Sequence, residues 1–145
     1  MERLLRYLED MYTCARAFCG FCVYECPAYH AYRSEAYTSR GRMLLLTSMI
    51  RGLVDYSSVA KVMFRCTLCG WCELHCALGN TEIFRSARAL LIDRGVAPHE
   101  VVEALRLLET YGSVYGDIAG VKAGWAEGLE LRGDSEVLLY AGCTY

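Results

Sequence analysis

Eight cysteines in two short groups constrain this chain of 145 residues more than any other feature of its sequence. The first group reads C-x4-C-x2-C-x3-C and the second C-x2-C-x2-C-x3-C. The groups are Cys14, Cys19, Cys22 and Cys26, and Cys66, Cys69, Cys72 and Cys76. They repeat at an offset of fifty residues, which also pairs Gly20 with Gly70 and Phe21 with Trp71. One structural unit is therefore predicted to occur twice, with only the first cysteine out of register.

This spacing is close to the cysteine runs that ligate 4Fe-4S clusters. Cysteines at every third position of a loop can present thiolates to three irons of one cluster, while the fourth cysteine faces away. In two-cluster ferredoxins the fourth cysteine ligates the other cluster. The expected ligand sets therefore cross between the groups. They are Cys14, Cys19, Cys22 and Cys76 for cluster 1, and Cys66, Cys69, Cys72 and Cys26 for cluster 2.

Zinc and disulfides are the alternatives to iron and sulfide. A structural zinc site needs only four ligands, so it would leave half of these cysteines without a role. A helical chain of this length can bury a core without disulfides. Both alternatives explain the doubled pattern less completely than two 4Fe-4S clusters do.

Four residues near the clusters each have two interpretations. Cys14 is either a ligand reached through its longer loop or a buried helical cysteine. His75 is either an alternative ligand or the occupant of a variable position. Phe21 and Trp71 either shield the clusters from water or belong to an ordinary core.

The rest of the chain has mostly helical periodicity, so the predicted fold class is all-α, with helices around two cysteine loops. Helices are predicted over residues 2–13, 27–37, 43–54, 57–64, 82–94 and 98–111, with Ser57 and Thr81 as N-caps and Pro98 at the start of the last helix. A glycine-rich linker is predicted over residues 113–135 and a short strand over residues 136–140. The predicted domains are residues 1–112, the linker, and residues 136–145 as the start of a further cysteine-rich domain.

Composition and motif content exclude several function classes. The formal charge of −2 and the lack of a basic stripe argue against a nucleic-acid partner. No apolar run approaches the roughly 20 residues of a membrane-spanning helix, and no secretory leader opens the sequence, so a cytoplasmic location is expected. The sequence has no G-x-S-x-G, Walker or H-E-x-x-H motif, and no catalytic residue is predicted.

Two stretches make the sequence resemble a known family. They are TSRGR at residues 38–42 and CTLCGWCELHC at residues 66–76. Residues 10–110 resemble the α-helical two-cluster ferredoxin domain that opens iron-sulfur subunits related to heterodisulfide reductase, glycolate oxidase, lactate utilisation and anaerobic glycerol-3-phosphate dehydrogenase. The sequence departs from these relatives in the x4 spacing after Cys14, in Ser39 and in Ala77, since relatives often have proline at the last two positions.

The resemblance implies an electron-transfer subunit with two 4Fe-4S clusters. It implies a flavin-containing or other redox subunit as partner, and peripheral membrane association through partners. In the relatives, cysteine-rich modules follow the helical domain, and LLYAGCT at residues 138–144 resembles the start of one, with Cys143 as its first cysteine. The alternative function is therefore that of a catalytic heterodisulfide reductase-like or hydroxy-acid oxidase subunit whose active site lies in modules after Tyr145.

Two oxidised clusters with four thiolates each would change the formal charge from −2 to about −6. Buried anionic groups need compensation from nearby cations. Arg40, Arg42 or Arg65 is predicted to offset this charge or to raise a reduction potential, the alternative being a solvated surface position.

Overall fold

The computed structural model describes residues 1–118, 121, 124–130, 133–134, 136–138 and 140. That part of the chain contains helices and turns and no strand, which confirms the all-α fold class. The α-helices are α1 (Glu2–Leu5), α2 (Leu8–Ala17), α3 (Pro27–Tyr32), α4 (Ser39–Ile50), α5 (Tyr56–Met63), α6 (Asn80–Asp93) and α7 (His99–Tyr111). Short 3₁₀ turns occupy Glu35–Tyr37, Trp71–Glu73 and Gly124–Ala126. None of the described helices is long and apolar enough to cross a bilayer.

The chain forms two compact units, Met1–Pro98 and His99–Tyr145. The first unit carries α1 to α6 and both cysteine groups, and the second begins with α7. Pro98 directly precedes α7, as the sequence predicts, because proline suits the start of a helix. The predicted domain boundaries at residues 112 and 135 stay predictions.

Helix α4 lies at the centre of the first unit and contacts α2, α5 and the turn Glu35–Tyr37. Helix α6 packs against α1 and α5. Their buried apolar side chains form one core, made of Leu4, Met11, Met43, Leu46, Met49, Val59, Ala60, Met63, Ile83, Phe84, Ala87, Leu90 and Leu91. Full burial of a side chain of this size contributes about 1.5–3 kcal/mol, so this core holds the helices in place around the cysteine loops.

Helix α4 begins and ends four residues earlier than its apolar periodicity predicts. The Oγ1 atom of Thr38 accepts a hydrogen bond from the Gly41 N–H (3.0 Å), so Thr38 is the N-cap. At the other end Gly52 adopts a left-handed φ of 72° that ends the helix. Leu53, which lies inside the predicted helix, is consequently beyond the end of α4 and 66% exposed.

Two other helix starts also differ from the prediction. Asp55, not Ser57, caps α5, because its Oδ1 accepts the Ser58 N–H (2.9 Å) and its Oδ2 the Ser58 hydroxyl (2.6 Å). Helix α6 begins at Asn80, so Thr81 lies inside it and is not its N-cap.

Two predicted helices are interrupted. The helix predicted over residues 2–13 divides into α1 and α2 at Arg6 and Tyr7. The helix predicted after Pro27 stops at Tyr32, because Arg33 takes a left-handed φ of 51°, and residues 35–37 continue only as a 3₁₀ turn.

The predicted C-terminal strand is not found in the described residues 136–138 and 140, which have no regular structure. Residues 139 and 141–145, including Cys143, lie outside the described part of the chain. The predicted start of a cysteine-rich domain at this position stays a prediction.

Candidate metal centre

The two cysteine loops, residues 18–26 and 64–79, repeat the same unusual backbone conformations. Phe18 and Leu68, each directly before a cysteine, have left-handed φ angles of 51° and 54°. Gly20 and Gly70, each directly after that cysteine, have φ angles of 66° and 77°. Left-handed conformations are uncommon outside glycine, so their recurrence fifty residues apart shows that the sequence repeat is also a structural repeat.

Main-chain hydrogen bonds follow the same repeat. In the first loop the Val23 N–H donates to the Gly20 carbonyl oxygen (3.0 Å), and the Cys26 N–H donates to the Val23 carbonyl oxygen (3.2 Å). In the second loop the Glu73 N–H donates to the Gly70 carbonyl oxygen (2.9 Å), and the Cys76 N–H donates to the Glu73 carbonyl oxygen (3.4 Å). These bonds form consecutive turns that lead from the second cysteine of each loop to the last. Each loop therefore presents its cysteines in the same local order.

Cysteines from both loops line one cavity in the first unit. They are Cys22, Cys26, Cys66, Cys69 and Cys72. Four of them are the ligands predicted for cluster 2, including Cys26 of the first loop, and the fifth, Cys22, is predicted for cluster 1. The structure therefore brings Cys26 to a cavity that it shares with three cysteines of the second loop. Ligation by these residues stays a prediction.

Cys14 interacts electrostatically with the other three cysteines predicted for cluster 1. The pKa of the Cys14 thiol is raised to about 11. Burial is the largest cause, and Cys22, Cys76 and Cys19 contribute to the same rise. Electrostatic interactions between thiol groups are appreciable only at short separations, because they weaken with distance and with solvent exposure. Cys76 of the second loop is thus a neighbour of Cys14, which lies at the end of α2 and is half-buried.

Two further thiols have raised pKa values because they are partly buried. Burial raises the pKa of Cys72 to about 11, against a hydrogen bond from the Ser39 hydroxyl that favours the thiolate. Burial also raises the pKa of Cys22, and the main-chain N–H of Arg40 acts in the opposite direction. Thiolates are the metal-binding form of cysteine, so metal binding at these residues displaces protons.

The first turn of α4 lies between the two groups of cysteines and contacts both. Ser39 lines the cavity with Cys72, and its hydroxyl favours the thiolate of that residue. The main-chain N–H of Arg40 favours the thiolate of Cys22, and its charge favours that of Cys14. Gly41 allows this turn of α4 to pack closely against the turn Glu35–Tyr37, because a Cβ at that position would lie 2.0 Å from the Glu35 carbonyl oxygen. The TSRGR stretch therefore has a structural role that its sequence alone does not reveal.

Two guanidinium groups in this turn have buried nitrogens without a hydrogen-bond partner among the described residues. They are Nη1 of Arg40 and Nη2 of Arg42. Arg42 is 1% exposed and lines the cysteine cavity. A buried cation is costly unless an anion compensates it, so a group that carries negative charge fits between these arginines and the cysteines.

Arg65, the third arginine of the sequence prediction, has a different environment. It is exposed, and its Nη1 donates to the Tyr32 hydroxyl (2.7 Å) while its guanidinium lies 5.3 Å from the centroid of the same ring. These contacts agree with the alternative of a solvated surface position.

Arg88 is a residue near the cysteines that the sequence does not single out. From α6 it donates to the Met63 carbonyl oxygen through Nε (3.2 Å) and Nη2 (3.1 Å), and also to the Cys66 carbonyl oxygen. Desolvation lowers the pKa of its half-buried guanidinium. Arg88 follows Cys66 by 22 residues and belongs to no motif, so only the tertiary fold reveals the contact.

The aromatic residues beside the cysteines are not part of the core. Phe21 is 68% and Trp71 42% exposed, so the interpretation as ordinary core residues is wrong. Trp71 lines the cavity and makes an edge contact with the exposed His75 ring, with 6.0 Å between centroids. Trp71 therefore lies where a residue that shields the cavity from water would lie.

No three His, Cys, Asp or Glu side chains in the described residues converge on one point as ligands of a single metal ion would. In a 4Fe-4S cluster each of four thiolates binds a different iron. Ligands of such a group therefore need not converge on one point, and the cavity is lined by five cysteines, four of which are the predicted ligands of cluster 2.

Comparison with known proteins supports the same cofactor. Residues 10–80 match the family model of the 4Fe-4S dicluster domain, and this range contains all eight cysteines of the two groups. No curated protein matches the chain. The match to the dicluster model supports an iron-sulfur domain of ferredoxin type over residues 10–80, with a 4Fe-4S cofactor and a role in electron transfer.

Proposed function

We propose that this chain relays single electrons through two 4Fe-4S clusters within an oxidoreductase complex. The observation that carries the proposal is the meeting of both cysteine loops at one cavity, where Cys26 of the first loop joins Cys66, Cys69 and Cys72. The grouping of Cys14 with Cys19, Cys22 and Cys76 supports the reciprocal exchange. Two crossed ligand sets explain why the pattern occurs twice.

When bound, 4Fe-4S clusters supply the one-electron chemistry. The chain's own residues hold the cofactors, limit their contact with water and adjust their charge. The two proposed ligand sets are Cys14, Cys19, Cys22 and Cys76, and Cys26, Cys66, Cys69 and Cys72. Arg40 and Arg42 provide buried positive charge beside them. Ser39 donates a hydrogen bond to Cys72, an interaction that also tunes a thiolate-bound cofactor.

The lining of the cavity favours electron transfer over bond chemistry in this domain. Among the described residues that line it there is no His, Asp or Glu, the side chains that most often act as general acids and bases. Its walls combine cysteines with apolar groups such as Phe84, Trp71 and Leu68. This composition suits a redox cofactor that exchanges electrons and binds no substrate.

The electron donor or acceptor that we propose is a flavin-containing or other redox subunit of the complex. This part of the proposal, with the relation to heterodisulfide reductase-like and hydroxy-acid oxidase subunits, rests on the resemblance of the two cysteine motifs and the TSRGR stretch. Cytoplasmic location and peripheral membrane association through partners belong to the same proposal.

The proposal is tested by anaerobic purification of the whole chain with iron, sulfide and zinc analysis. We expect a brown protein with about eight irons and about eight sulfides, and two signals in redox-titrated electron paramagnetic resonance. Cys143→Ser provides the control, because this ninth cysteine lies outside both ligand sets and its loss should leave the iron content unchanged. Iron-free protein with stoichiometric zinc would falsify the proposal, and about four irons would reduce it to one cluster.

A further inference from the structure

Arg42 is a buried cation whose charge no described carboxylate compensates at the cavity. Its Nε donates a long hydrogen bond to the Val62 carbonyl oxygen (3.4 Å), and its guanidinium carbon lies 5.9 Å from the centroid of the Phe84 ring. Its Nη2 has no hydrogen-bond partner in the part of the chain that the structure describes. Among the described residues lining the cavity, Arg42 alone carries a formal charge. Its side chain is therefore placed to act on whatever group Cys26, Cys66, Cys69 and Cys72 hold.

Arg88 adds a second positive charge near Cys66 and Arg42. It interacts electrostatically with both Cys66 and Arg42, and its hydrogen bonds fix the carbonyl groups of Met63 and Cys66. The carboxylate of Glu73 beside Cys72 opposes these charges. Glu73 is exposed, however, so solvent screens its charge more than that of the buried Arg42.

The cation beside Cys14, Cys19, Cys22 and Cys76 is less buried than Arg42. Arg40 is the cation that acts on Cys14, and its guanidinium carbon lies 5.0 Å from the ring centroid of Phe18. That ring is 82% exposed, so this side of Arg40 faces a surface residue. Arg42, in contrast, is enclosed by Phe84 and the rest of the core.

We propose that the cluster bound by Cys26, Cys66, Cys69 and Cys72 has the higher reduction potential of the two and that Arg42 is chiefly responsible. Electrons then pass from the other cluster to this one. The inference rests on the proposed function and deepens it by giving the relay a direction. Reduction adds one negative charge, which a buried cation stabilises more strongly than a partly solvated one. One electron leaves the first site, whose core goes from 1+ to 2+, and enters the second, whose core goes from 2+ to 1+.

The test is a redox titration of the iron-loaded chain followed by electron paramagnetic resonance. Wild-type protein should show two steps. In Arg42→Met the reduction potential of the higher step should fall by at least about 59 mV, which for one electron is a tenfold change in favour of the oxidised form. The potential of the lower step should not change. Arg40→Met should shift only the lower step. Arg51→Met removes an exposed charge at the end of α4 and should move neither step.

Further variants at position 42 separate charge from shape. Arg42→Gln keeps a polar side chain without the charge and should reproduce the shift, whereas Arg42→Lys should keep the wild-type value. If neither uncharged variant binds iron at the second site while Arg42→Lys does, the requirement for positive charge is still demonstrated. A wild-type potential in Arg42→Gln, a shift confined to the lower step, or loss of iron from Arg42→Lys as well would overturn the inference.

Removing the cofactor gives a second, independent readout. Without a compensating anion the buried charge of Arg42 opposes folding, so the iron-free Arg42→Met protein should have a higher thermal midpoint than the iron-free wild type. Equal or lower stability would contradict the role of Arg42 as a counter-charge. Failure of the proposed function itself is recognised separately, because wild-type protein would then contain no iron-sulfur signals.

Discussion

The two cysteine loops have the same backbone but different surroundings. Phe18 and Gly20 repeat the conformations of Leu68 and Gly70, and the hydrogen bonds that follow are equivalent. Around the second loop, however, Arg42 and Arg88 approach from α4 and α6, and neither has a counterpart in the repeat. Ligand geometry thus comes from local sequence, while the electrostatic environment comes from helices elsewhere in the fold.

The first turn of α4 connects these two environments. Ser39 and Arg42 are directed to the second site, whereas Arg40 acts on Cys22 and Cys14 of the first. Successive residues of one helical turn therefore serve different sites. A duplicated motif becomes two unequal sites because a single, unduplicated helix lies between them.

Replacement of individual cysteines should have the largest effect on the difference between the two sites, because it removes cluster binding at one site and spares the other. Cys22→Ala and Cys76→Ala should abolish the same paramagnetic signal, and Cys26→Ala and Cys69→Ala the other, each lowering iron from about eight to about four. Iron analysis and spectroscopy of the four variants measure this. Loss of the same signal in Cys26→Ala and Cys22→Ala would show that each loop keeps its own four cysteines.

Gly41→Ala should damage both sites together. The added Cβ would lie 2.0 Å from the Glu35 carbonyl oxygen and 2.7 Å from the Ala36 Cα, so α4 must move away from its neighbour. Overpacking against backbone atoms should lower the free energy of unfolding by more than about 3 kcal/mol. Thermal unfolding and iron content provide the measurements.

Gly79→Ala is the matched control for that variant. A Cβ at Gly79 meets no atom within 4 Å, so iron content should stay normal and stability should change by less than about 1 kcal/mol. If Gly41→Ala lost iron from only one site, the first turn of α4 would not be shared by both.

Arg88→Met should weaken the second site selectively. The variant loses the hydrogen bonds to the Met63 and Cys66 carbonyl oxygens, which should cost at least about 3 kcal/mol, since bonds from charged donors contribute about 1.5–3 kcal/mol each. Iron release followed at each paramagnetic signal should be faster at the second site alone. Arg85→Met, which removes an exposed pair with Glu82 on the same helix, should cost less than about 1 kcal/mol. Equal rates of iron release in both variants would show that Arg88 does not stabilise the second site.

Asp55→Ala should have the smallest effect and change neither site. Its bonds to Ser58 cap α5, so the thermal midpoint should fall slightly, and Asp55→Asn should retain most of the cap. The same bonds lower the pKa of Asp55, so its contribution is complete above the ordinary range of a carboxyl and is lost as pH falls through the lowered value. Altered iron content in Asp55→Ala would reveal coupling between this cap and the cysteines.

Local features of this fold can be predicted from the sequence, because they depend on neighbouring residues. Pro27 begins α3, Pro98 directly precedes α7, and glycines follow the second cysteine of each loop, as expected. Asp55 and Ser57 are both good capping residues two positions apart, and only the folded backbone decides between them. Sequence patterns of this kind specify an element more reliably than its ends.

Long-range features could not be predicted, because no pattern in one sequence encodes them. Arg88 contacts Cys66 through the packing of α6 against α5, and the Gly41 contact with Glu35 depends on a turn that was predicted as helix. Arg40, Arg42 and Arg65 are equivalent by composition, yet Arg42 is buried at the cysteine cavity, Arg40 is partly buried with one enclosed nitrogen, and Arg65 is exposed. Burial distinguishes a counter-charge from a surface charge, and burial is a property of the fold.

The exchange of the last cysteine between the loops is the claim on which the account depends. Anaerobic crystals of the iron-loaded chain, measured at the iron absorption edge, would locate the irons and the sulfur atoms bound to them. The account predicts that Cys76 binds the same cluster as Cys14, Cys19 and Cys22, while Cys26 binds the cluster of Cys66, Cys69 and Cys72. Irons coordinated by Cys26 together with Cys19 and Cys22 would contradict it.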